Sequence, residues 1–75
     1  MKNKRNFTVI IEKEDDMYVG LCPELDIASQ GNSVEEAREN LKEAIELFLE
    51  TASPSEVKER LHTEFFITQL EVNIG

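Results

Sequence analysis

Four glutamates are the residues of this chain most suited to catalysis. A metal-dependent nuclease needs several carboxylates that converge on Mg²⁺ ions, which position and activate water for attack on phosphate. The candidates are Glu12, Glu43, Glu46 and Glu71. Each of them alternates with residues typical of a core, which is the pattern of ordinary exposed positions. In a chain with sixteen acidic residues, some carboxylates are expected to lie near one another by chance. We therefore predict no metal site, no cofactor and no enzymatic activity.

The single histidine and the single cysteine are the other candidates for catalysis. A general base needs a positioned partner and a substrate pocket, and the sequence indicates neither around His62. We place His62 at the C-terminal end of a short helix, where cationic character is favourable. Cys22 would need an adjacent base to act as a nucleophile. Its place before Pro23 is more typical of a small, partly buried apolar residue.

Contacts with other polypeptides are predicted at two places. Glu24 and Asp26 flank Leu25 in a loop, so both carboxylates are expected to point outward and bind a partner; the alternative is a solvated turn. Near the C-terminus, Phe65, Phe66 and Ile67 form an apolar run whose neighbouring rings lie on opposite faces of a strand. One ring cannot lie in a one-sided core. We expect a subunit contact there, with cover by a short helix as the alternative.

The charge balance favours a basic protein as the partner. Eight basic and sixteen acidic residues give a formal net charge of −8, whereas nucleic-acid affinity comes mainly from Lys and Arg neutralising phosphates. The one basic run, at Lys2, Lys4 and Arg5, is interpreted as a solvated tail. We therefore expect no direct contact with nucleic acid, and electrostatic steering toward a basic protein instead.

The length predicts one domain, residues 1–75, that needs support from outside its own core. A chain of this size buries only about 60–65% of its unfolded surface. With one cysteine and no Cys/His cluster, neither an internal disulfide nor a structural metal can compensate, which leaves oligomerisation. No apolar run approaches the roughly 20 residues that span a bilayer, and no signal peptide is visible. We predict a cytoplasmic protein without membrane contact, and the unpaired Cys22 fits a reducing compartment.

The pattern of apolar residues predicts an α+β domain with helices on one face of a largely antiparallel sheet. Alternation predicts a three-stranded antiparallel meander, with strands at 7–12, 17–22 and 27–30 and a tight hairpin within Lys13-Glu14-Asp15-Asp16. Ser33 and Ser53 each precede a glutamate by three residues, the spacing of a capping box. They begin a long helix from Val34 to about Thr51 and a short helix from Pro54 to about Leu61. A final strand is predicted over 64–72.

An ordered series of short motifs resembles one family. The series comprises Tyr18-Val19, Cys22-Pro23-Glu24-Leu25-Asp26, Gln30-Gly31 and Ser33-Val34-Glu35-Glu36-Ala37. It is similar to the HicB-like antitoxins of bacteria and archaea, in which an aromatic-Val strand, a Pro-acid-Leu turn, a strand ending in Gly and a Ser/Thr-capped helix follow one another. The resemblance covers roughly 7–50.

The resemblance implies a partial, non-catalytic ribonuclease-H-like fold and the role of an antitoxin. Members of the family bind HicA, a small basic RNA-cleaving toxin, cover its active site, and commonly form homodimers or homotetramers. Many also carry a C-terminal DNA-binding segment, whereas this sequence stops at Gly75, so we expect a short form that does not bind its operator directly. The alternatives are a stand-alone structural or regulatory adaptor without a toxin, and a residual metal-dependent nuclease.

Overall fold

The computed structural model describes residues 4–62 and 64–75 and has an α+β fold. Its elements, in chain order, are β1 (Ile10–Glu14), β2 (Met17–Cys22), β3 (Ile27–Gly31), α1 (Val34–Thr51) and α2 (Pro54–Arg60). The strands form an antiparallel meander in the order β1-β2-β3. This confirms the predicted meander followed by a long and a short helix. The first strand begins at Ile10, three residues later than the sequence pattern suggests.

Local side-chain chemistry fixes the boundaries of these elements. Asp15 has a φ of 54° in the two-residue hairpin between β1 and β2, a left-handed conformation that Asp tolerates. The Ser33 hydroxyl accepts a hydrogen bond from the Glu36 backbone N–H at 3.0 Å and caps α1. A full capping box begins α2, because the Ser53 hydroxyl and the Glu56 carboxylate each accept from the other's backbone N–H.

One face of the sheet packs against α1 and forms a small core. The fully buried residues are Cys22, Leu25, Ala37 and Leu41, joined by the nearly buried Ile45. Four partly buried side chains surround them: Phe7, Ile27, Phe48 and Leu61. The helix α1 lies mainly over β3, less over β2 and least over β1. The inner face beside β1 is therefore the least covered part of the sheet.

The start of α1 approaches β3 so closely that Gly31 is required there. A Cβ atom at Gly31 would lie 2.5 Å from the Ala37 backbone N and 2.8 Å from the Glu36 backbone C. Both are backbone atoms and cannot move aside as a side chain can. The glycine that ends β3 thus allows the helix to pack directly on the strand.

The prediction of a final strand at 64–72 is wrong for this structure. Residues 64–75 contain no helix or strand, and no backbone hydrogen bond joins them to the remainder of the described chain. A strand is stabilised by pairing with the backbone groups of a neighbouring strand. Residues 64–75 have no such neighbour within one described chain.

Candidate partner-binding surfaces

Glu24 is buried, so the expectation that its carboxylate points outward is wrong. Its side chain is 8% exposed. One carboxylate oxygen accepts from the Thr8 backbone N–H at 2.8 Å, and the other lies 3.5 Å from the Cys22 Sγ. The Glu24 carbonyl also accepts from the His62 backbone N–H at 2.7 Å. Glu24 therefore links the segment before β1, the end of β2 and the segment after α2.

Hydrogen bonding outweighs burial in setting the ionisation of Glu24. Burial acts to raise the pKa of this carboxyl, but the hydrogen bonds from the Thr8 backbone and from neighbouring groups lower it below its usual range. A carboxylate that accepts backbone N–H bonds is stabilised in its charged form. Glu24 is accordingly charged at neutral pH; its carboxylate binds the segment before β1 and the end of β2, and its backbone carbonyl binds the segment after α2.

Asp26 does lie at the surface, as predicted, in a turn that α2 holds in place. It is exposed and has a φ of 56°, while the neighbouring Leu25 is fully buried and anchors the turn. The Arg60 guanidinium donates to the carbonyls of Leu25 and Asp26, at 3.1 Å each. The Cζ of Arg60 also lies 5.5 Å from the centroid of the Phe48 ring. The sequence pattern gave no sign of this role for Arg60, because its partners are 34 and 35 residues away.

The structure gives Cys22 and His62 structural roles: Cys22 is part of the buried core, and His62 lies just beyond the end of α2. Burial raises the pKa of the Cys22 thiol above its usual range, and the adjacent Glu24 carboxylate adds to the rise. The His62 side chain is exposed just beyond the end of α2, and its backbone N–H is the group that binds Glu24. The Cys22 thiol donates to the Glu24 carboxylate at 3.5 Å, and this contact raises the thiol pKa instead of activating it as a nucleophile. No side-chain hydrogen bond of the described residues joins His62 to a base or a nucleophile.

The outer face of the sheet has an apolar centre and an acidic rim. Cross-strand partners lie on the same face, and the row Ile10, Leu21 and Ala28 lies on the side away from α1. Ile10 is 42% exposed and Leu21 36% exposed. The next rows place Glu12 beside Val19 and Glu14 beside Met17. We call these seven residues the outer sheet face; it was not among the binding sites predicted from the sequence.

Negative charge is spread over the surface with little compensation. Of the sixteen acidic residues, all but Glu24 are exposed. Among the residues that the structure describes, one ion pair forms, between Arg38 and Glu39 at 3.5 Å. Both side chains of this pair are largely exposed, so the pair contributes little to stability. Apart from Glu39, no exposed carboxylate of the described residues is neutralised by a basic side chain within 4 Å.

Positive charge is concentrated at one groove. The groove encloses about 710 Å³ between residues 4–9, α1 and α2. Its apolar floor includes Phe7, Val9, Ile45 and Leu49, and its basic rim is formed by Lys4, Arg5, Arg38 and Lys42. We call it the N-terminal groove. Lys4 and Arg5, interpreted from sequence as a solvated tail, thus border a groove; Lys2 lies outside the described residues.

The four glutamates considered for metal binding are all exposed and lie on separate elements. Glu12 is on β1, Glu43 and Glu46 are on α1, and Glu71 is in the segment after α2. Over 4–62 and 64–75, no three His, Cys, Asp or Glu side chains are arranged to hold a metal ion together.

The predicted subunit contact falls on a segment with large apolar exposure. Phe65 is partly buried, whereas Phe66 is 84% exposed and Ile67 61% exposed. The apolar side chains of Leu70, Val72 and Ile74 are exposed as well. Within the described part of the chain, neither helix combines the length and the apolar character needed to cross a bilayer.

Three relatives found by comparison with known proteins share the name UPF0150. A UPF0150 protein of Thermotoga maritima is 50% identical over 56 residues, which cover 69% of this chain and 75% of the relative. Two UPF0150 proteins of Synechocystis are 44% identical over 50 residues and 50% identical over 48, covering 72% and 61% of their lengths. No protein-family model and no solved structure matches the chain. On these identities and coverages, the chain belongs to the UPF0150 family.

Proposed function

We propose that this protein is a HicB-like antitoxin that neutralises a small basic RNA-cleaving toxin by covering its active site. It acts without catalysis, in the cytoplasm, and binds protein rather than nucleic acid or membrane. A partial ribonuclease-H-like fold belongs to the same proposal, supported by the order of three antiparallel strands followed by a helix across one sheet face. The buried free thiol of Cys22 suits a reducing compartment.

The observation that carries the proposal is the uncompensated acidic surface. Fifteen exposed carboxylates and a net charge of −8 produce a negative field around a small domain. Such a field accelerates association with a cationic protein and repels nucleic acid. An RNA-cleaving enzyme needs basic residues to bind its substrate, so its substrate-binding surface has the charge that this field attracts.

The outer sheet face supports the proposal because it has the composition of an interface. Protein interfaces combine an apolar centre, depleted of charge, with a polar rim. Ile10, Leu21 and Ala28 provide the centre, and Glu12 and Glu14 provide acidic groups beside it. The turn that carries Asp26 closes the sheet beside the Ile10 row. Asp26 therefore remains in the proposed contact, whereas the buried Glu24 contributes by holding the turn.

The test is inhibition of RNA cleavage by a HicA-like toxin encoded beside the gene. Stoichiometric addition of this protein is expected to abolish cleavage, and the association rate is expected to fall as salt rises because screening weakens steering. The double variant Glu12→Lys/Glu14→Lys should reduce binding more than Glu43→Lys/Glu50→Lys. The two variants change the net charge equally, but the second pair lies on α1.

Three results would contradict the proposal. If the toxin still cleaves RNA in the presence of an excess of this protein, the protein is not its antitoxin, and the stand-alone adaptor becomes the favoured function. An association rate indifferent to salt removes the steering argument. Equal effects of the two charge variants would show that the outer sheet face is not the contact.

A further inference from the structure

The chain has far more surface than a compact domain of its mass. Its radius of gyration is 14.6 Å, whereas a compact domain of 75 residues has about 11 Å. Its accessible surface is 6600 Å², which exceeds by about 1,900 Å² the roughly 4,700 Å² typical of a folded monomer of 8.6 kDa. Part of the molecule therefore projects from the core, and its longest extent is 52 Å.

The projecting part is residues 64–75, which we call the C-terminal arm. Along its second half, Leu70, Val72 and Ile74 alternate with polar residues, and Ile74 is 98% exposed. This is the two-residue period of a strand with one buried face. The arm has no backbone hydrogen bond to the described body, and Leu70, Val72 and Ile74 are 84%, 64% and 98% exposed, so its backbone groups and this apolar face lack partners among the described residues.

The N-terminal groove adjoins the segment that leads into β1, the edge strand of the sheet. The sheet order leaves the outer edge of β1 unpaired, and α1 covers the β1 side of the sheet least. No residue of β1 itself lines the groove, but residues 4–9 lead directly into β1. A strand paired with the β1 edge and continued past Ile10 would therefore reach the groove, where Val9 and Leu49 are 37% and 40% exposed. The lining residues of the groove, taken over the described chain, include none from the arm.

The charges of the arm and of the N-terminal groove are complementary, which favours the arm as the segment that binds there. The groove rim combines four basic side chains with one acid, Glu46, in a chain that is otherwise strongly acidic. The arm brings Glu64 and Glu71 and no basic residue. Acidic side chains on the arm and basic side chains on the rim are complementary, which favours this pairing over like-charged surfaces of the same protein.

We propose that the C-terminal arm of a second copy lies in the N-terminal groove, pairs with the β1 edge and makes a reciprocal, arm-exchanged homodimer. An exchange between two identical chains closes on itself with two-fold symmetry. The excess surface of about 1,900 Å² per chain is of the same size as the roughly 1,200–2,000 Å² that stable interfaces bury in total. The inference is independent of the antitoxin role.

The first experiment measures the molar mass of the full chain in solution by light scattering. We expect about 17 kDa, twice the 8.6 kDa of one chain. Leu70→Asp/Val72→Asp is expected to weaken the dimer at least about 100-fold, because two apolar side chains lose their burial. The matched control, Gln69→Glu/Asn73→Asp, adds the same charge on the opposite side of the arm and should remain dimeric. All four residues are exposed in one chain, so folding is not at risk.

Mixing two defective variants separates exchange from other arrangements. Leu49→Asp damages the groove, and Leu47→Asp is its control on the same helix, outside the groove lining. The arm variant and the groove variant should each be monomeric alone. Mixed together they should form a heterodimer, because one intact arm then meets one intact groove.

Each remaining outcome overturns the proposal. A monomeric wild type at about 100 µM whose arm amides are protected from hydrogen exchange would place the arm in its own groove. A dimer that survives the arm variant would place the interface elsewhere. Failure of the two variants to complement each other would exclude reciprocal exchange.

Discussion

Glu24 and Asp26 form a matched pair for testing what stabilises the turn after β2. We expect Glu24→Gln to lower the free energy of unfolding at pH 7 by about 1–1.5 kcal/mol. The glutamine oxygen can still accept from the Thr8 N–H, now 2.8 Å from the carboxylate, but the charge is lost. Hydrogen bonds to charged groups contribute roughly 1.5–3 kcal/mol and neutral ones roughly 0.5–1.5 kcal/mol. The corresponding fall in Tm is about 5–10 °C for a domain of this size.

The effect of Glu24→Gln should depend on pH in a defined direction. The pKa of Glu24 is lower in the folded protein than its ordinary value, so its charge stabilises the native state above the unfolded pKa of about 4.3. This contribution is lost as the pH falls through the lower, folded pKa. The stability difference between wild type and variant should therefore be constant from neutral pH to about 5 and shrink in acid. The pKa of Glu56 is also lowered, by its hydrogen bonds with Ser53, but Glu56 is common to both proteins and cancels.

Urea unfolding followed by circular dichroism at a series of pH values measures this difference. Asp26→Asn is the control, since it removes one exposed charge and retains a residue that tolerates the φ of 56°. Its effect on stability should stay within about 0.5 kcal/mol. The reasoning is refuted if the Glu24→Gln deficit persists unchanged to pH 2–3, or if Asp26→Asn is equally destabilising.

Two other predictions concern the core. Gly31→Ala should destabilise by about 1–3 kcal/mol or more, because its Cβ would meet backbone atoms of α1 at 2.5 and 2.8 Å. Gly20→Ala should cost less than Gly31→Ala, because its nearest contact would be a side-chain atom, the Cδ2 of the buried Leu41 at 3.3 Å, and no backbone atom would lie nearer than 3.6 Å; equal losses in urea unfolding would contradict this contrast. The buried Cys22 thiol, whose pKa is raised by burial, should react slowly with a thiol reagent and rapidly in denaturant. A native rate equal to that of a free thiol would show that the core opens readily.

Boundaries that depend on neighbouring residues could be read from the sequence. Ser33 and Ser53 mark the starts of α1 and α2, and the hairpin at Asp15 falls where the acidic residues interrupt the apolar alternation. Each of these signals acts over at most four residues, through a cap or a turn conformation. Local interactions of this kind do not depend on how the elements pack together. The element boundaries that they set could therefore be predicted.

The orientation of Glu24 could not be predicted in the same way. Its neighbours in sequence form a polar turn, which suggests exposure. In the structure, Thr8, sixteen residues away, donates to its carboxylate, while Arg60 holds the turn from 34 residues away. Contacts between such distant segments arise from the packing of α2 and of the segment before β1, which no local pattern encodes.

Residues 64–72 show, within one segment, both what the sequence can predict and what depends on tertiary structure. Their alternation of apolar and polar residues was recognisable, because side-chain periodicity is a property of the chain. Their pairing was not, because a strand needs a second backbone at hydrogen-bonding distance, and the described fold offers no backbone that bonds to residues 64–75. Sequence order thus establishes which segments favour helix or strand, while long-range packing establishes which carboxylate is buried and which edge of the sheet stays open.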